Sequence, residues 1–268
     1  MGNMQNDKAD PLLIKREPPL GWLVLNRPEV RNALNVQTWR RIAEGMAELE
    51  ADPDVRVIVM RGVTPEAFIS GADISEFKNV YANAEQARTY REAPDRAFAA
   101  LAQSAKPVIA MISGFCMGGG VQVALSCDIR IAARGTRFGV PAVRLGLAYP
   151  LNAALLLVQI VGPANAYDIL LSGRVFEADE ALAMGLVNKV VDGPELENFT
   201  RTYALKMASN APLTMHAAKA AIRESLKASQ ERDQKMLQEL VARCFNSEDY
   251  REGVRAFAEK RQPRFSGR

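Results

Sequence analysis

A chain of 268 residues, 48% of them hydrophobic and 24% charged, has the composition of a globular protein that can bury a substantial core. The formal net charge of +3 and the lack of long lysine or arginine runs argue against nucleic acid as a partner. Three cysteines without metal-ligand spacing, no secretory signal and no apolar run of about 18 residues predict a cytoplasmic protein with no membrane partner.

The first part of the chain alternates short apolar segments with helical ones. Residues 12–16 and 21–26 predict a β-hairpin with Pro18-Pro19 in its turn. Asn35 is a suitable N-cap for a helix that runs to Glu50, because apolar residues recur on one face of that segment. The predictions that follow in chain order are a strand over 55–61, an irregular segment over 64–78 and a polar helix over 84–103.

Residues 106–122 predict a buried strand, a glycine-rich turn and the start of a buried helix. Gly118-Gly119-Gly120 opens that helix. The N–H groups at a helix start lack intrahelical partners and carry the positive end of the helix dipole. Glycines leave those groups open to a ligand oxygen. The segment therefore predicts an oxyanion hole, in which fixed donors stabilise negative charge that develops on a carbonyl oxygen, although glycines used only for close packing are an open alternative.

The second part of the chain is mostly helical. A strand is predicted over 128–133, an irregular segment over 138–150 and a short strand over 187–191. Helix starts are predicted near Gly162-Pro163, Glu177, Pro194, Pro212 and Ser247. The change from mixed to helical structure predicts a boundary near residue 200.

Other chemistries fit the glycine turn poorly. Its spacing is not G-x-G-x-x-G, and no G-K-[ST] follows, so neither a dinucleotide site nor a P-loop is predicted. Cys116 at a helix start is a candidate nucleophile, but His216, the only histidine, lies on a predicted helix surface far along the chain. A packed thiol and a solvated imidazole are the simpler interpretation, and the same shortage of ligands argues against a metal.

Taken together, several motifs resemble the crotonase (enoyl-CoA hydratase/isomerase) superfamily over nearly the whole chain. In order they are Leu25-Asn26-Arg27-Pro28-Glu29 with Arg31-Asn32-Ala33-Leu34-Asn35, Phe68 to Ile74, Lys106 to Gly120, Cys127-Asp128-Ile129, Phe138-Gly139-Val140-Pro141 and Phe257 to Arg261. The resemblance implies an α/β fold, with a ββα spiral core over 1–200 and a C-terminal helical trimerisation region over 201–268. It also implies a homotrimer or a dimer of trimers, and a coenzyme A (CoA) thioester as substrate without a separate cofactor.

The resemblance also implies roles for residues at matching positions. The oxyanion donors would be the backbone N–H groups of Ala72 and Gly119. From the residues alone, Asp73 is equally well a loop carboxylate that satisfies local N–H groups. The positions that would line the CoA and acyl groups are Arg31, Ala33, Gly71, Asp73, Ile74 and Ala142, with Phe257 and Lys260 closing over the CoA from the C-terminal region.

Two positions depart from the family pattern. A hydratase of this family uses one glutamate just after the glycine turn and another just after the Phe-Gly-x-Pro motif, and here these positions are Gln122 and Ala142. An amide orients water but does not act as a base near neutral pH, and alanine moves no proton. We therefore predict that the chain is not an efficient conventional hydratase.

Three hypotheses follow for the reaction. In the first, the chain is an isomerase or a decarboxylase, because Tyr149 stands where relatives resembling methylmalonyl-CoA decarboxylase carry a tyrosine. Those relatives have histidine where this chain has Ala72, and a half-buried loop aromatic explains Tyr149 equally well. In the second, the chain binds acyl-CoA with little catalysis. In the third, it is a hydratase or isomerase that uses a relocated carboxylate, with the loop candidates Glu66, Asp73 and Glu76.

Overall fold

The protein is described by a computed structural model of residues 10–76 and 84–268, with side chains given from residue 91 in the second range. The strands are β1 (Leu12–Glu17), β2 (Leu20–Leu25), β3 (Val57–Gly62), β4 (Ala67–Ile69), β5 (Val108–Ile112), β6 (Phe115–Met117), β7 (Ile129–Ala133), β8 (Arg137–Gly139), β9 (Val175–Glu177) and β10 (Lys189–Val191). The α-helices are α1 (Val36–Ala51), α2 (Ala84–Gln103), α3 (Gly119–Ser126), α4 (Leu151–Ser172), α5 (Ala178–Ala183), α6 (Leu196–Ala208), α7 (Pro212–Ser225), α8 (Gln234–Phe245) and α9 (Glu248–Ala258). Short 3-10 helices cover Pro28–Val30, Ile74–Glu76, Pro141–Leu145, Gly193–Glu195 and Ser229–Glu231.

The larger sheet has the strand order β1-β2-β3-β5-β7-β10. β1 and β2 form the predicted antiparallel hairpin, with Leu12 opposite Leu25, and the strands from β2 to β10 are parallel. Because parallel strands are covered on both faces, they are continuously apolar rather than alternating, as β5 is throughout. This explains why the strand before the glycine turn was recognisable from sequence.

A smaller sheet has the strand order β4-β6-β8-β9 and was not predicted. The segments 64–78 and 138–150 were expected to be irregular, whereas they contain β4, the end of β8 and two 3-10 helices. Strands of three residues carry too little periodicity to be recognised from sequence. β4, β6 and β8 are parallel, so their carboxyl ends lie at one edge of the sheet. These ends lead directly into the segments with the predicted site residues.

Helices cover both faces of the larger sheet. Asn35 caps α1 as predicted, because its side chain accepts a hydrogen bond from the Thr38 N–H at 2.8 Å. The predicted apolar face of α1 is buried, including Trp39 and Ile42. On the opposite face, α6 packs on the sheet through buried residues such as Leu196 and Ala204. Residue 200 lies within α6, and the division of the chain near that residue stays a prediction.

α4 is the longest apolar helix in the described ranges. It has 22 residues and contains an 18-residue window with a mean hydropathy of 1.6, so by length and composition alone it is able to cross a membrane. The window is apolar on average but contains polar residues such as Gln159 and Asp168, so the expectation that no uninterrupted apolar run reaches about 18 residues is not contradicted. Gly162 has the non-helical angles φ 75° and ψ 164°, so the range consists of two helices that meet at a kink, and the helix start predicted at Gly162-Pro163 is confirmed. Length and composition are weak evidence for a membrane span, because core helices of soluble proteins and signal sequences pass the same test.

Gly114 links the two sheets at a position that accepts no side chain. Its φ is 66°, and a Cβ added there would lie 1.9 Å from the backbone oxygen of Glu66. We expect Gly114→Ala to lower the free energy of unfolding by roughly 2–5 kcal/mol, from backbone strain and overpacking together. The matched control is Gly135→Ala, where φ is 79° but no atom lies within 4 Å. That variant is expected to lose only about 1–2 kcal/mol. Urea denaturation of both variants measures the difference, and equal losses would contradict the steric argument.

Candidate active site

Ala72 lies in an extended segment that follows β4 and pairs with Leu34 in an isolated parallel bridge. The Leu34 N–H donates to the Gly71 oxygen at 2.8 Å, and the Asp73 N–H donates to the Leu34 oxygen at 2.9 Å. Because successive backbone groups of an extended chain point to opposite sides, the Ala72 N–H points away from Leu34. This N–H group is therefore free of the bridge that holds the segment.

Gly119 is the first residue of α3 and follows β6 through Gly118. Gly118 has φ 50°, its N–H donates to the Gly139 oxygen at 2.8 Å, and its own oxygen accepts from the Val121 N–H at 3.1 Å. As the first residue of a helix, Gly119 has an N–H with no intrahelical acceptor. The turn is thus fixed by hydrogen bonds on both sides of the predicted donor.

The segments that contain Ala72 and Gly119 are in contact. A Cβ on Gly118 would lie 4.0 Å from the Cα of Gly71, and a Cβ on Gly71 would lie 3.6 Å from the Met117 oxygen. Behind the turn, a Cβ on Gly119 would meet Leu34 at 3.5 Å and the Trp39 ring at 3.6 Å, which are ordinary contact distances. The two backbone segments therefore meet at the carboxyl edge of the smaller sheet. The N–H of Ala72 points away from the Leu34 bridge, and the N–H of Gly119 has no acceptor within its helix. The role of the two N–H groups as oxyanion donors stays a prediction.

Arg27 joins the segments on either side of the Ala72 bridge, and sequence reasoning assigned it no role. Its guanidinium donates to the Ala33 oxygen at 2.5 Å and forms an ion pair with Asp73 at 3.0 Å. A hydrogen bond from Ser75, followed by the one from Arg27, holds the pKa of Asp73 below its ordinary value. Asp73 is thus a structural anion. Its partner lies 46 residues away in sequence, so no local signal pointed to the pair.

The positions of the two family glutamates hold no acid. Gln122 lies in the first turn of α3 and is half-buried, and its side chain makes no hydrogen bond within the described residues. Ala142 lies in the 3-10 helix Pro141–Leu145 and packs against the core. Neither side chain carries an ionisable group, and the loss of the family's acid–base pair at these positions stays a prediction.

The carboxylates considered as replacements are occupied elsewhere. Asp73 pairs with Arg27, and Glu76 accepts the Val36 N–H at 3.0 Å at the start of α1. Glu66 precedes β4 and is exposed, and a hydrogen bond with Thr64 lowers its pKa. A base that is already bound to donors is a poor proton acceptor. These contacts weigh against the relocated-carboxylate hypothesis.

Tyr149 follows the 3-10 helix that contains Ala142, and both pack against the core. Its hydroxyl is buried, with no hydrogen-bond partner within the described part of the chain. Burial raises the pKa of Tyr149 to about 12, so the hydroxyl keeps its proton at neutral pH. A buried hydroxyl without a partner costs free energy, which makes it a candidate for a ligand contact.

The other predicted site residues are dispersed. Arg31 is exposed with φ 52° and lies over the Phe115 ring, and Ile74 is 57% exposed beside Asp73. Phe257 ends α9 and is 88% exposed, in a groove formed by α7, α8, α9 and the C-terminal segment. Lys260 follows it with φ 54°. The residues lining that groove do not include the two turns, so a contact of Phe257 with CoA stays a prediction.

Cys116 and His216 do not form a catalytic pair. Cys116 is fully buried, which raises the pKa of its thiol well above the ordinary range. His216 lines a separate cavity of about 760 Å³ near the start of β5. Burial, followed by Arg223 and Arg243, lowers its pKa. No metal-ligating cluster of three or more His, Cys, Asp or Glu residues occurs in the part of the chain that the structure describes.

Known proteins match this chain along almost its entire length. The family model described as enoyl-CoA hydratase/isomerase matches residues 19–268. A short-chain-enoyl-CoA hydratase from Clostridium acetobutylicum is 36% identical over 94% of this chain and 95% of its own. An (E)-benzylidenesuccinyl-CoA hydratase from Thauera aromatica is 34% identical over 96% of this chain and 99% of its own. A crystal structure of an enoyl-CoA hydratase/isomerase family protein from Hyphomonas neptunium is 38% identical, covers 97% of this chain and 99% of its own, and superimposes with a TM-score of 0.92.

The matching family model and the relatives define the class, an enzyme that acts on acyl-CoA. The chain belongs to the enoyl-CoA hydratase/isomerase family of the crotonase superfamily. This confirms the resemblance and the fold class inferred from the sequence motifs.

Proposed function

We propose that the chain binds an acyl-CoA thioester and stabilises its enolate with the backbone N–H groups of Ala72 and Gly119. The observation that carries this proposal is the contact between the Gly71–Ala72 and Gly118–Gly119 segments, in which the N–H groups of Ala72 and Gly119 have no acceptor among the described residues. Rigid donors aimed at a developing oxyanion stabilise the transition state, because they need no rearrangement when the charge forms. CoA enters as part of the substrate, and no other cofactor or metal belongs to the proposal.

The proposed chemistry excludes efficient water addition. Hydration needs one group that removes a proton from water and another that delivers a proton to carbon. Gln122 and Ala142 supply neither, and Asp73 and Glu76 are held by other groups. Loss of this acid–base help costs a factor of about 10²–10⁴ in rate.

Turnover of crotonyl-CoA, together with calorimetric titration of butyryl-CoA, tests the proposal. We expect butyryl-CoA to bind and crotonyl-CoA to be hydrated at rates about 10²–10⁴ below those of glutamate-containing relatives assayed in parallel. Hydration at the rate of those relatives would overturn the acid–base argument. Absence of thioester binding would overturn the site itself. Binding without turnover of any thioester would identify an acyl-CoA binding protein instead.

A second candidate reaction is decarboxylation of a malonyl-type thioester, favoured by the unpartnered hydroxyl of Tyr149. The C–C bond to the carboxylate breaks, CO₂ leaves, and the electron pair moves to the thioester oxygen as an enolate. Protonation at carbon then completes the reaction. This reaction requires no base, which suits a site without carboxylates. A neutral phenol that keeps its proton is able to donate a hydrogen bond to the substrate carboxylate.

Tyr149→Phe tests this second candidate. We expect CO₂ release from methylmalonyl-CoA to fall at least about tenfold, a barrier increase of about 1.4 kcal/mol. The variant is expected to be as stable as the parent protein, because the hydroxyl that it removes has no hydrogen-bond partner among the described groups. Equal CO₂ release from the two proteins, or none from the parent, would remove this candidate.

We further propose that the chain assembles as a homotrimer or a dimer of trimers in the cytoplasm. The support is the apolar surface of α4, where Leu151 is 74% exposed and Leu171 is 70% exposed. Large apolar side chains exposed along one element are typical of a protein interface. Sedimentation velocity of protein purified without detergent tests the assembly. A monomer, or a requirement for detergent, would contradict it.

A further inference from the structure

Arg130, in β7, is the only buried lysine or arginine in the described ranges, with 6% of its surface exposed. Its guanidinium lies at the C-terminal end of α3, the helix that begins at Gly119. Nη1 donates to the Cys127 oxygen at 2.8 Å and to the Ala124 oxygen at 3.5 Å, and Nε donates to the Leu186 oxygen at 2.7 Å. Backbone carbonyls are therefore the acceptors that hold this side chain.

No carboxylate of the described chain lies within ion-pair distance of the Arg130 guanidinium. The acid nearest in sequence is Asp128, whose carboxylate pairs with Lys219 at 2.6 Å and accepts the Val108 N–H at 2.7 Å. Burial lowers the pKa of Arg130, but a guanidinium keeps its proton at neutral pH. The protein thus keeps a buried positive charge that no anion contacts.

A second cation binds the end of a helix but has acids beside it. Lys106 Nζ donates to the Leu49 oxygen at 2.6 Å and to the Asp52 oxygen at 2.5 Å, at the end of α1. Burial lowers the pKa of Lys106, and the carboxylates of Glu50 and Asp52 oppose that change. An isolated buried charge costs free energy that a well-packed apolar residue does not. Capping a helix therefore does not by itself explain a lone cation at position 130.

α3 connects Arg130 to the proposed oxyanion donors. Its 8 residues span about 12 Å, with the Gly119 N–H at one end and the carbonyls bound by Arg130 at the other. After Gly119, every residue of α3 except Gln122 is buried, so water screens little of the charge along the helix. A cation at the C-terminal end also complements the helix dipole, whose positive end is directed at the site.

We propose that Arg130 is a positioning residue that acts through α3 and makes the donors of Ala72 and Gly119 bind an enolate more strongly relative to a neutral thioester. The inference rests on the proposed function. A charge about 15 Å from the oxyanion, at an effective dielectric constant of about 20, shifts the balance between ionised and neutral bound ligand about sixfold. Binding of a neutral acyl group changes little, because no charge develops on its thioester oxygen.

Acetoacetyl-CoA provides a test that does not depend on turnover. The carbon between its two carbonyls loses a proton to mildly alkaline water, and the resulting enolate absorbs in the near ultraviolet. Absorbance of the saturated complex at one fixed pH measures the ratio of enolate to neutral ligand, and calorimetry measures the Kd for butyryl-CoA. We expect Arg130→Met to lower the enolate ratio about sixfold and to change the Kd for butyryl-CoA less than about twofold.

Arg56→Met is the matched control. Arg56 also donates to two backbone carbonyls, the Ala208 oxygen at 3.3 Å and the Phe265 oxygen at 2.7 Å, and Ala208 ends α6, which contains no proposed donor. We expect this variant to leave the enolate ratio and the Kd for butyryl-CoA within about twofold of the parent values. A fall in the ratio as large as that in Arg130→Met would contradict a specific role for α3.

Asn188→Asp gives a second measurement that keeps the Arg130 side chain. The Asn188 side chain accepts the Arg130 backbone N–H at 2.8 Å, and aspartate keeps that acceptor while it adds a negative charge beside the cation. Because residue 188 is exposed, solvent screens part of that charge, and we expect the enolate ratio to fall about twofold. If Arg130→Met does not fold, an unchanged ratio in Asn188→Asp overturns the inference.

The outcomes separate this inference from the function on which it rests. If the parent protein raises the enolate ratio above that of free acetoacetyl-CoA and Arg130→Met keeps the parent ratio, the role of Arg130 is wrong and the two donors stand. Equal losses in the ratio and in butyryl-CoA affinity would indicate a displaced helix rather than a missing charge, and would also overturn the inference. If the parent protein does not raise the ratio, or binds neither ligand, the proposed function fails as well.

Discussion

Replacing Gln122 and Ala142 with glutamate in one variant is expected to raise the rate of crotonyl-CoA hydration by about 10²–10⁴-fold. Gln122 lies in the first turn of α3, and Ala142 lies in the 3-10 helix that follows β8. The carboxyl ends of β6 and β8 bring these elements to the same edge of the smaller sheet. The variant therefore supplies an acid and a base where the proposed donors already polarise the thioester. Absorbance of the enoyl thioester measures the reaction.

Three variants control for effects other than acid–base chemistry. Ala142→Gln beside the natural Gln122 adds the same bulk and polarity without an ionisable group, and we expect it to leave hydration at the parent rate. Each single glutamate variant is expected to gain less than the double variant, because water addition uses both groups. Hydration by the double variant is also expected to decline as the pH falls through about 4–5, where a glutamate becomes protonated. A double variant no faster than Ala142→Gln would show that missing carboxylates do not limit the reaction.

Gly119→Pro is expected to reduce turnover of whichever thioester the parent protein processes by about 10²–10³-fold, because it deletes one oxyanion donor. Proline has no N–H, and it is well tolerated at the first position of a helix, which is the position of Gly119 in α3. We expect the loss in kcat and little change in the Kd for butyryl-CoA, since the donor acts chiefly on charge that develops during the reaction.

Gly119→Ala provides the comparison that isolates the N–H group. Its Cβ meets Leu34 at 3.5 Å and Trp39 at 3.6 Å, which is ordinary contact, and the N–H remains. We expect this variant to keep its activity within about threefold of the parent enzyme, a change of less than 1 kcal/mol in the barrier. Equal losses in Gly119→Ala and Gly119→Pro would indicate a steric effect and would count against Gly119 as a donor.

Local sequence decided much of the fold. The β1–β2 hairpin, α1 from its Asn35 cap and α2 over Ala84–Gln103 were predicted because a turn, a cap or a periodic face marks each of them. The smaller sheet was missed, since strands of three residues are made by pairing between distant segments rather than by their own pattern. The start of α8 was also missed, although Asp233 caps it through the Met236 N–H at 2.8 Å.

The candidate site also combines features that were recognisable from the sequence with features that were not. The glycine turn was recognisable because its residues are contiguous, and the loss of the glutamates was recognisable because their positions are fixed by nearby motifs. The Arg27–Asp73 pair and the contacts of Arg31 and Arg137 with the Phe115 ring were not, because their members come from separate parts of the chain. Such contacts exist only once β4, β6 and β8 are side by side.

The hydrogen bonds that hold the segments around Ala72 and Gly119, here called the frame, have a consequence for which substitutions the site accepts. Both proposed donors belong to the peptide unit, which mutation does not alter unless proline is introduced. The frame is held by Arg27, by the Leu34 bridge and by Gly118, none of which moves a proton in the proposed reaction. Side chains at positions 122 and 142 are not among the groups that hold this frame, so they are replaceable without removing the two proposed donors. New proton-transfer chemistry therefore requires few substitutions on this scaffold.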